Sequence, residues 1–182
     1  MRDELRIRAM AADELESIRD IDREEIIRVG YQQEGHRLVR MDVNWDAPSW
    51  HDGEGDHTYE RIIRFSRRHL EAGGTAFGTF AGARLAGITI YQPQIAESMG
   101  QLALMHISRE FRRQGVAARL FDEVLQVSRL EGDQLLYVSA TPSGSAVGFY
   151  LSRGFQPTAT PNPELLAEEP EDIHMVLDLT AT

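Results

Sequence analysis

The sequence predicts an α/β fold built on a mixed sheet. Three observations support this: short alternating or apolar runs typical of strands, amphipathic segments with helical spacing, and glycine- or proline-bearing turns at their junctions. The predicted order is strand, helix, helix, two strands, and then strand–helix–strand–helix–strand. Helices that alternate with strands in this way pack against the faces of a sheet.

The first half of the chain begins with a strand and two helices. Leu5, Ile7 and Ala9 alternate with charged residues, which indicates a strand. Apolar residues at helical spacing predict one helix over residues 12–26 and a second over residues 59–70, which stops at a Gly-Gly pair. Residues 30–58, rich in Asp, Gly and His, are predicted to form a long loop with at most one helical turn.

The second half shows more regular alternation between strands and helices. Two β-rich runs, residues 75–81 and 84–91, are joined by Ala-Gly-Ala and predict a hairpin. The remaining predicted elements are a strand at 102–108, a helix at 116–130, a strand at 135–140, a helix at 145–153, and strands at 155–158 and 173–179. A Pro- and Glu-rich loop, residues 161–172, separates the last two strands.

Composition narrows the classes of protein. The chain has 182 residues and a formal net charge of -10, which suits one globular domain and argues against general nucleic-acid binding. It contains no cysteine, so disulfides, thiolate metal sites and cysteine nucleophiles are excluded. The N-terminus lacks the apolar region of a signal peptide, and no apolar run approaches the ~20 residues of a membrane span. We therefore expect a cytoplasmic protein.

The most informative local feature is the turn from Arg112 to Ala117, which lies between a predicted strand and a predicted helix. The first main-chain N–H groups of a helix have no internal partner and point at whatever occupies such a turn. Gly115 allows the backbone to approach a bulky anion, and Ala117 keeps the next turn thin. Arg112 and Arg113 add positive charge. This combination predicts a site for a pyrophosphate.

From residue 102 onward the sequence resembles the GNAT acyltransferase family. Residues 105–117 read MHISREFRRQGVA, similar to the family's strand, aromatic turn and Arg/Gln-x-x-Gly-x-Gly/Ala. Residues 143–150 read SGSAVGFY and precede Gly154-Phe155, similar to the family's Asn-x-x-Ala-x-x-Phe-Tyr and Gly-Phe. A lone six-residue match is weak, but two motifs in the right order on strand–helix units are specific. Three departures stand out: Ser143 in place of asparagine, which weakens an expected pantetheine contact, Ala117 in place of glycine, and Arg109 in place of proline.

The resemblance implies an α/β fold (α+β in some schemes) with a mostly antiparallel central sheet of about seven strands and about four flanking helices, in which the fourth and fifth strands splay apart. It implies one domain over residues 1–182. Residues 1–100 then supply mainly acceptor-side elements, 101–158 the acetyl-CoA-binding core, and 159–182 an acidic loop and the final strand. The expected contacts to acetyl-CoA, the co-substrate, come from Ile107, Ser108, Arg112, Arg113, Gln114, Gly115, Val116, Ala117, Ser143, Ser145 and Tyr150.

Two side chains are candidates for catalysis. Tyr150 is the predicted general acid, since a phenol can return a proton to the departing thiolate; its other interpretation is an aromatic core pair with Phe149. His106 is the predicted general base, because imidazole titrates near neutrality, and its other interpretation is a core histidine. Glu110, acidic loop residues and ordered water are further routes for the acceptor's proton. A main-chain N–H near Ile107 and Ser108 is expected to polarise the thioester.

The segment 42–59 interleaves carboxylates with both tryptophans of the chain and predicts an acceptor site for a cationic amine. The residues assigned to it are Trp45, Asp46, Trp50 and Glu54, with a solvated acidic loop as the alternative. His51, Asp52, Glu54, Asp56 and His57 match no ligand spacing, and no metal is predicted. The resemblance leaves a homodimer open, because members of the family commonly pair.

The sequence thus predicts an N-acetyltransferase that moves the acetyl group of acetyl-CoA to a primary amine of a small cationic molecule or peptide, by direct attack in a ternary complex. Two alternatives remain at this point. One is an acetyl-CoA-binding sensor that has lost the chemistry, which the change at Ser143 favours and Tyr150 disfavours. The other is transfer of a longer acyl group. No partnership with nucleic acid or membrane is expected.

Overall fold

The computed structural model describes residues 4–181 and contains two separate β-sheets. The strands are β1 (Leu5–Met10), β2 (Glu25–Glu34), β3 (Arg37–Ala47), β4 (Thr75–Ala81), β5 (Arg84–Ala96), β6 (Met99–Ile107), β7 (Leu135–Ala140), β8 (Gln156–Pro157) and β9 (Ile173–Asp178). The helices are α1 (Tyr59–Glu71), α2 (Val116–Glu131), α3 (Gly144–Ser152) and α4 (Pro163–Glu168), with 3₁₀ helices at Ala12–Asp20 and Arg109–Phe111. Among the described residues, no helix combines the length and apolar character required to cross a membrane.

The main sheet has seven strands in the order β1-β4-β5-β6-β7-β9-β8. Every neighbouring pair is antiparallel except β6 and β7. These two strands pair only from Met99–Leu135 to Gln101–Tyr137. Beyond that point β6 stays with β5 as far as Ile107, and β7 stays with β9 as far as Ala140. The sheet therefore opens into a V-shaped gap, and the predicted seven-stranded sheet with one splayed pair is confirmed.

Two apolar cores hold the layers together, one on each face of the main sheet. The first packs Leu15 and Ile18 of the long 3₁₀ helix, together with Ile63 of α1, against β4 and β5. The second packs Phe121 and Val124 of α2 and residues of α3 against β6, β7 and β9. Because strand side chains alternate between faces, β5 contributes to both cores, with Ile88 and Ile90 in the first and Tyr91 in the second.

The first predicted helix is only partly present. A 3₁₀ helix spans Ala12–Asp20, and the chain is already extended when it enters β2 at Glu25. Ile26, predicted to lie on the buried face of that helix, is 64% exposed on the strand. The prediction failed because Ile26 fitted the helical spacing by chance, whereas the β-branched residues around it favour a strand.

The predicted loop over residues 30–58 is wrong for most of its length. Residues up to Ala47 form the hairpin β2–β3, and only residues 48–58 are irregular. The two strands are joined by the two-residue turn Gly35-His36, in which Gly35 has a φ of 62°. A glycine with positive φ between alternating runs is the usual signal of a tight hairpin. It was obscured here by the many polar residues on the exposed face.

The hairpin lies across the open end of the V-shaped gap. At its start, the Arg112 guanidinium, from beyond the end of β6, donates to the main-chain oxygens of Arg23 and Glu24 at 2.9 and 3.0 Å. In its middle, the Tyr31 N–H donates to the Pro142 oxygen, just beyond β7, at 2.9 Å. One strand of the hairpin thus connects the two diverging sides of the gap.

Candidate active site

The turn between β6 and α2 presents a row of free main-chain donors. Arg113 and Gly115 both have positive φ, at 59° and 79°, and α2 begins directly after them. Within residues 4–181, no acceptor bonds the N–H groups of Gln114, Gly115, Val116, Ala117 or Ala118. Consecutive N–H groups that converge in this way at a helix N-terminus form an anion-binding nest. Ala118 is a donor that sequence reasoning missed.

Position 115 requires glycine because of its backbone conformation and not because a side chain would meet other atoms. A Cβ built on Gly115 meets no atom within 4 Å, so the protein leaves that space open. The φ of 79° nevertheless disfavours any residue with a side chain. Gly115 also lines the cleft, so the open space above it belongs to that cleft.

The two adjacent arginines of the turn differ in their environment. The Arg112 guanidinium already donates to main-chain oxygens of the protein, since its Nε also donates to the Ile107 oxygen at 3.1 Å. The Arg113 side chain is exposed, and no partner for its guanidinium is present in the described part of the chain. Arg112 therefore fastens β2 to the end of β6, and Arg113 is the arginine available to an anion.

A single cleft of about 700 Å³ runs from this nest into the gap between β6 and β7. Its lining includes predicted residues from the turn, from β6 and from α3, together with residues from the hairpin that were not predicted. The full set is Arg23, Glu25, Ile27, Ala47, Met105, His106, Ile107, Phe111, Arg112, Arg113, Gly115, Val116, Ala117, Ala118, Thr141, Ser143, Ser145, Ala146, Phe149, Tyr150 and Arg153.

Ile107 and Ser108, the residues predicted to polarise a thioester, are not equivalent. The Ser108 N–H donates to the Ala86 oxygen at 2.9 Å, and the Ser108 hydroxyl accepts from the Asp22 N–H at 3.0 Å. Antiparallel hydrogen bonds alternate along a strand, so the Ile107 N–H points away from β5 and into the gap. Ser108 is fully buried and occupied, which leaves Ile107 as the donor at this edge.

Tyr150 reaches the cleft from α3 while 7% of its surface is exposed. Its ring packs edge-on against Phe149 and Phe155, with centroids 5.4 and 5.3 Å away. No hydrogen-bond partner for its hydroxyl is present in residues 4–181. Burial raises the pKa of the phenol above its ordinary value, and Asp172 adds to the rise. The ring is packed in the core, as the second interpretation expected, and the residue also lines the cleft. Its role as general acid stays a prediction.

His106 also lines the cleft, and its ring stands edge-on to Trp50 at a centroid distance of 4.8 Å. Burial lowers the pKa of His106 to about 3, and the positive charges of Arg23 and Arg112 contribute. The imidazole is therefore neutral at physiological pH. A group with this pKa is a weak base toward an ammonium ion, whose pKa lies about seven units higher.

The serines of α3 are arranged as a helix cap. The Ser143 hydroxyl accepts from the Ala146 N–H at 3.2 Å and lies 3.0 Å from the Ser145 hydroxyl. Ser143 is buried and Ser145 is exposed, and both line the cleft. The serine that replaces the family's asparagine thus keeps the helix start in place with a shorter side chain.

The four predicted acceptor residues do not come together. Trp50 is 5% exposed and belongs to the apolar core beneath α1, whereas Trp45 is 40% exposed on β3 and covers Gly30. Asp46 and Glu54 are exposed on separate segments, and none of the four lines the cleft. The prediction failed because proximity in sequence placed them on one loop, whereas β3 carries half of them away from the irregular segment that follows.

The acidic residues around Glu54 are paired with nearby arginines. Asp52 lies 2.7 Å from Arg19, and Asp56 lies 2.6 Å from Arg61. Over residues 4–181, no group of three or more His, Asp or Glu side chains has the arrangement of a metal site.

The hairpin supplies cleft residues that sequence reasoning missed. Arg23, Glu25 and Ile27 are spaced by two, so alternation directs all three into the cleft from β2 and the residues just before it. Ala47 joins them from β3. The period-2 pattern was visible in the sequence, but it was interpreted as the end of a helix and the start of a loop.

The geometry is that of a protein that binds an anionic ligand: the sheet opens between two strands, an anion nest lies at the opening, and a cleft continues beyond it. A family model described as "Acetyltransferase (GNAT) domain" matches residues 53–179. The chain belongs to the GNAT family and is an acetyltransferase. Enzymes of this family use acetyl-CoA as co-substrate, and the nest formed by residues 114–118 suits its pyrophosphate. No curated protein sequence matches the chain.

Solved structures share the fold at low sequence identity. A nourseothricin acetyltransferase matches with a TM-score of 0.70 and 15% identity, covering 96% of this chain and 98% of its own. A protein of Bacillus anthracis strain Ames described as a streptothricin acetyltransferase, in complex with acetyl coenzyme A, matches at 0.69 and 13%, covering 98% and 99%. The ribosomal-protein-S18-alanine N-acetyltransferase of Escherichia coli matches at 0.60 and 13%, covering 98% and 96%.

Proposed function

We propose that this enzyme transfers the acetyl group of acetyl-CoA to a primary amine of a small molecule or peptide by direct attack within a ternary complex. The observation that carries the proposal is the continuity of the cleft. One cleft joins the free N–H groups of the turn, the opening between β6 and β7, and the hydroxyl of Tyr150. A pyrophosphate on the nest directs the pantetheine arm into that opening.

The chemistry follows from the groups at the inner end of the cleft. The amine nitrogen attacks the thioester carbon, and the carbonyl oxygen takes up negative charge. The Ile107 N–H, directed into the gap, is placed to stabilise that charge. As the C–S bond breaks, Tyr150 donates its proton to the sulfur, which leaves as the thiol of coenzyme A. The attacking nitrogen releases its extra proton to water as the amide forms, and the phenolate recovers a proton from that water.

Before the attack, the acceptor ammonium must lose a proton. His106 was the predicted base, but its depressed pKa makes it a weak one. Glu110, another candidate, forms an ion pair with Arg84 and does not line the cleft. We infer that water in the cleft takes this proton, and that the neutral His106 accepts a hydrogen bond from the acceptor or from that water.

An amine acceptor is supported by the names of the structural neighbours. Two are described as acetyltransferases of nourseothricin and streptothricin, and one as an acetyltransferase of an alanine in a ribosomal protein. The residues predicted to bind a cationic acceptor, Trp45, Asp46, Trp50 and Glu54, lie apart in the structure and do not line the cleft.

The test is steady-state turnover of acetyl-CoA with a panel of amines, following the free thiol and identifying the acetylated product by mass spectrometry. We expect product with at least one amine, and initial-rate lines that intersect when both substrates are varied. Parallel lines would indicate a covalent acetyl-enzyme and contradict direct attack. Tight binding of acetyl-CoA with no turnover across a broad panel would instead favour the sensor alternative.

A further inference from the structure

Arg23 is a charged group in the cleft to which the proposed chemistry assigns no role. Its Nε donates to the Pro48 oxygen at 2.7 Å, and its Nη2 lies 3.0 Å from Nδ1 of His57. The guanidinium also lies over the ring of Trp50, 5.3 Å from its centroid. These contacts hold the guanidinium in one place without neutralising its charge.

The acidic residues next to Arg23 in sequence are engaged elsewhere. Asp22 and Glu24 both pair with Arg109, at 2.8 and 3.2 Å. Glu25 lies 3.7 Å from Arg112. Over residues 4–181, no carboxylate pairs with Arg23. Arg23 is therefore a partly buried cation that lacks a counterion.

A cation in this position is costly unless something compensates it. Burial lowers the pKa of Arg23, which reflects the loss of water around the guanidinium. Its charge also helps to lower the pKa of His57 and of His106, after the larger effect of burial. The positive charge of Arg23 thus acts on two imidazoles, and that of His57 lies 3.0 Å away. An anionic group of a ligand would supply the missing partner.

The location indicates which ligand supplies that anion. Arg23 lies over Trp50, and its charge acts on His106. Both of these residues are on the face of the sheet that α1 covers. The nest for the pyrophosphate is at the start of α2, which packs on the opposite face. The anion at Arg23 therefore belongs to the molecule that approaches the thioester from the acceptor side.

We propose that Arg23 binds a carboxylate of the acceptor, so that the acceptor carries an amine and a carboxylate on the same molecule. The inference rests on the proposed acetyl transfer to an amine. Glu25, the only acidic residue among the described residues of the lining, lies two positions further on the same side of the strand and faces the same space. The cleft thus offers Arg23 for the carboxylate, while Glu25, although 3.7 Å from Arg112, adds a negative charge to the lining that favours the ammonium end of the acceptor. Carboxylates bind arginine through charge-assisted hydrogen bonds of defined geometry.

The binding of a carboxylate by Arg23 can be tested with stable conjugates of coenzyme A. This test does not require the amine that the enzyme acetylates to be known. In each conjugate a –CH₂–CO– group joins the sulfur of coenzyme A to the amino nitrogen of glycine, β-alanine or 4-aminobutyrate. Each of these carboxylate conjugates is compared with the same molecule in which the carboxylate is replaced by a carboxamide. Calorimetry on the wild-type protein should show one carboxylate conjugate binding at least about tenfold more tightly than its carboxamide. Equal affinity within every pair would overturn the proposal.

Variants locate the preference. Arg23→Gln should abolish the preference for the carboxylate while the carboxamide conjugates keep their affinity. A preference that survives in Arg23→Gln would overturn the assignment to Arg23. Arg64→Gln is the matched control, because it removes an arginine charge from an ion pair with Glu60 on the surface of α1. It should behave as the wild type.

Failure of the proposed function gives a different result. In that case no amine is acetylated in the turnover assay, whatever the conjugates show. The wild-type comparison of carboxylate and carboxamide decides whether the preference exists even if Arg23→Gln does not fold. Arg23→Lys, which keeps the charge, provides a second variant and should retain part of the preference.

Discussion

Tyr150 packs in the core and lines the cleft, which is the position that the proposed general acid requires. Its ring is held between two phenylalanines, and its hydroxyl is left without a partner among residues 4–181. Burial raises the pKa of the phenol, so the proton stays on oxygen throughout the pH range in which a thiolate leaves. A general acid must be protonated at the moment it is needed, and desolvation ensures this.

Replacing Tyr150 with Phe should lower kcat by about 100-fold and leave the KM for acetyl-CoA nearly unchanged, because only the proton donor is lost. Steady-state kinetics at saturating amine measures both. The control is Tyr137→Phe, which removes a buried hydroxyl bonded to His174 at 2.7 Å outside the cleft lining. It should keep kcat. An unchanged kcat in Tyr150→Phe, with chemistry limiting the rate, would remove Tyr150 from the role.

At the scale of elements, the start of α2 is the site that we propose for the pyrophosphate of the coenzyme. The helix supplies free N–H groups, and the positive φ at Arg113 and Gly115 turns them toward one point. The same helix ends at Gly132, which has a φ of 82° and likewise no atom near an added Cβ. The two glycines are alike in conformation and differ in what faces them.

Gly115→Glu should abolish binding of coenzyme A, because it places bulk and negative charge where the pyrophosphate approaches. Both substitutions strain the backbone and should lower stability by ~1–2 kcal/mol. The Gly132→Glu variant should nevertheless bind coenzyme A normally. Calorimetry with coenzyme A and thermal unfolding of both variants separate the two effects. Normal affinity in Gly115→Glu would show that the nest is not the pyrophosphate site.

Besides the contacts at its start and middle, the β2–β3 hairpin is attached to the rest of the molecule by hydrogen bonds near its tip. The Gln33 side chain donates to the Thr158 oxygen at 2.7 Å and accepts from the His174 N–H at 2.9 Å. Its neighbour Gln32 is exposed on the other face of the strand. One glutamine thus anchors the hairpin to β9, and the adjacent one does not.

Gln33→Ala should lower the free energy of unfolding by about 2 kcal/mol, because it leaves a buried N–H and a carbonyl unpaired. Gln32→Ala should change it by less than about 0.5 kcal/mol. Urea unfolding of both variants makes the comparison. Equal effects would mean that the hairpin is held by packing rather than by this anchor.

At the scale of the molecule, charge is distributed unevenly. The net charge is -10, yet the cleft is lined by Arg23, Arg112, Arg113 and Arg153. A basic cleft in an acidic protein attracts an anionic coenzyme while the rest of the surface repels it. Most acidic residues are exposed, but Asp172, near Tyr150, is partly buried. Burial, and then the charge of Glu169, raise the pKa of the Asp172 carboxyl to about 7.

This shift predicts a pH dependence of stability. When the folded-state pKa of a carboxyl is raised, its contribution is fully present below the unfolded value near 3.9 and is lost as the pH rises through 7. Asp172→Asn should therefore gain stability relative to the wild type between pH 4 and pH 8. Urea unfolding at both pH values tests this.

Asp178→Asn is the control with the opposite sign, since hydrogen bonds from Thr180 lower the pKa of Asp178. Its loss of stability relative to the wild type should be larger at pH 8 than at low pH. A difference between Asp172→Asn and wild type that does not change with pH would mean that Asp172 titrates normally.

Local sequence determined the coenzyme side of this protein. The strand, turn and helix from residue 102 to residue 130 follow from contiguous patterns, and the anion nest depends on neighbours in the chain. The strands follow from local patterns, whereas their number and order in a seven-stranded sheet were implied by the family resemblance. The hairpin was missed because polar residues on its exposed face masked a period of two, which the pairing with β3 makes evident.

Only the tertiary structure decided the acceptor side. Arg112 and Arg113 are alike in sequence, but the arrival of β2 beside β6 engages one and leaves the other exposed. Trp45 and Trp50 are five residues apart, yet one lies on the surface and the other in the core. The cleft brings Arg23 together with His106 from distant parts of the chain. Local patterns specify backbone conformation, whereas a substrate pocket depends on which segments meet, and long-range packing sets that.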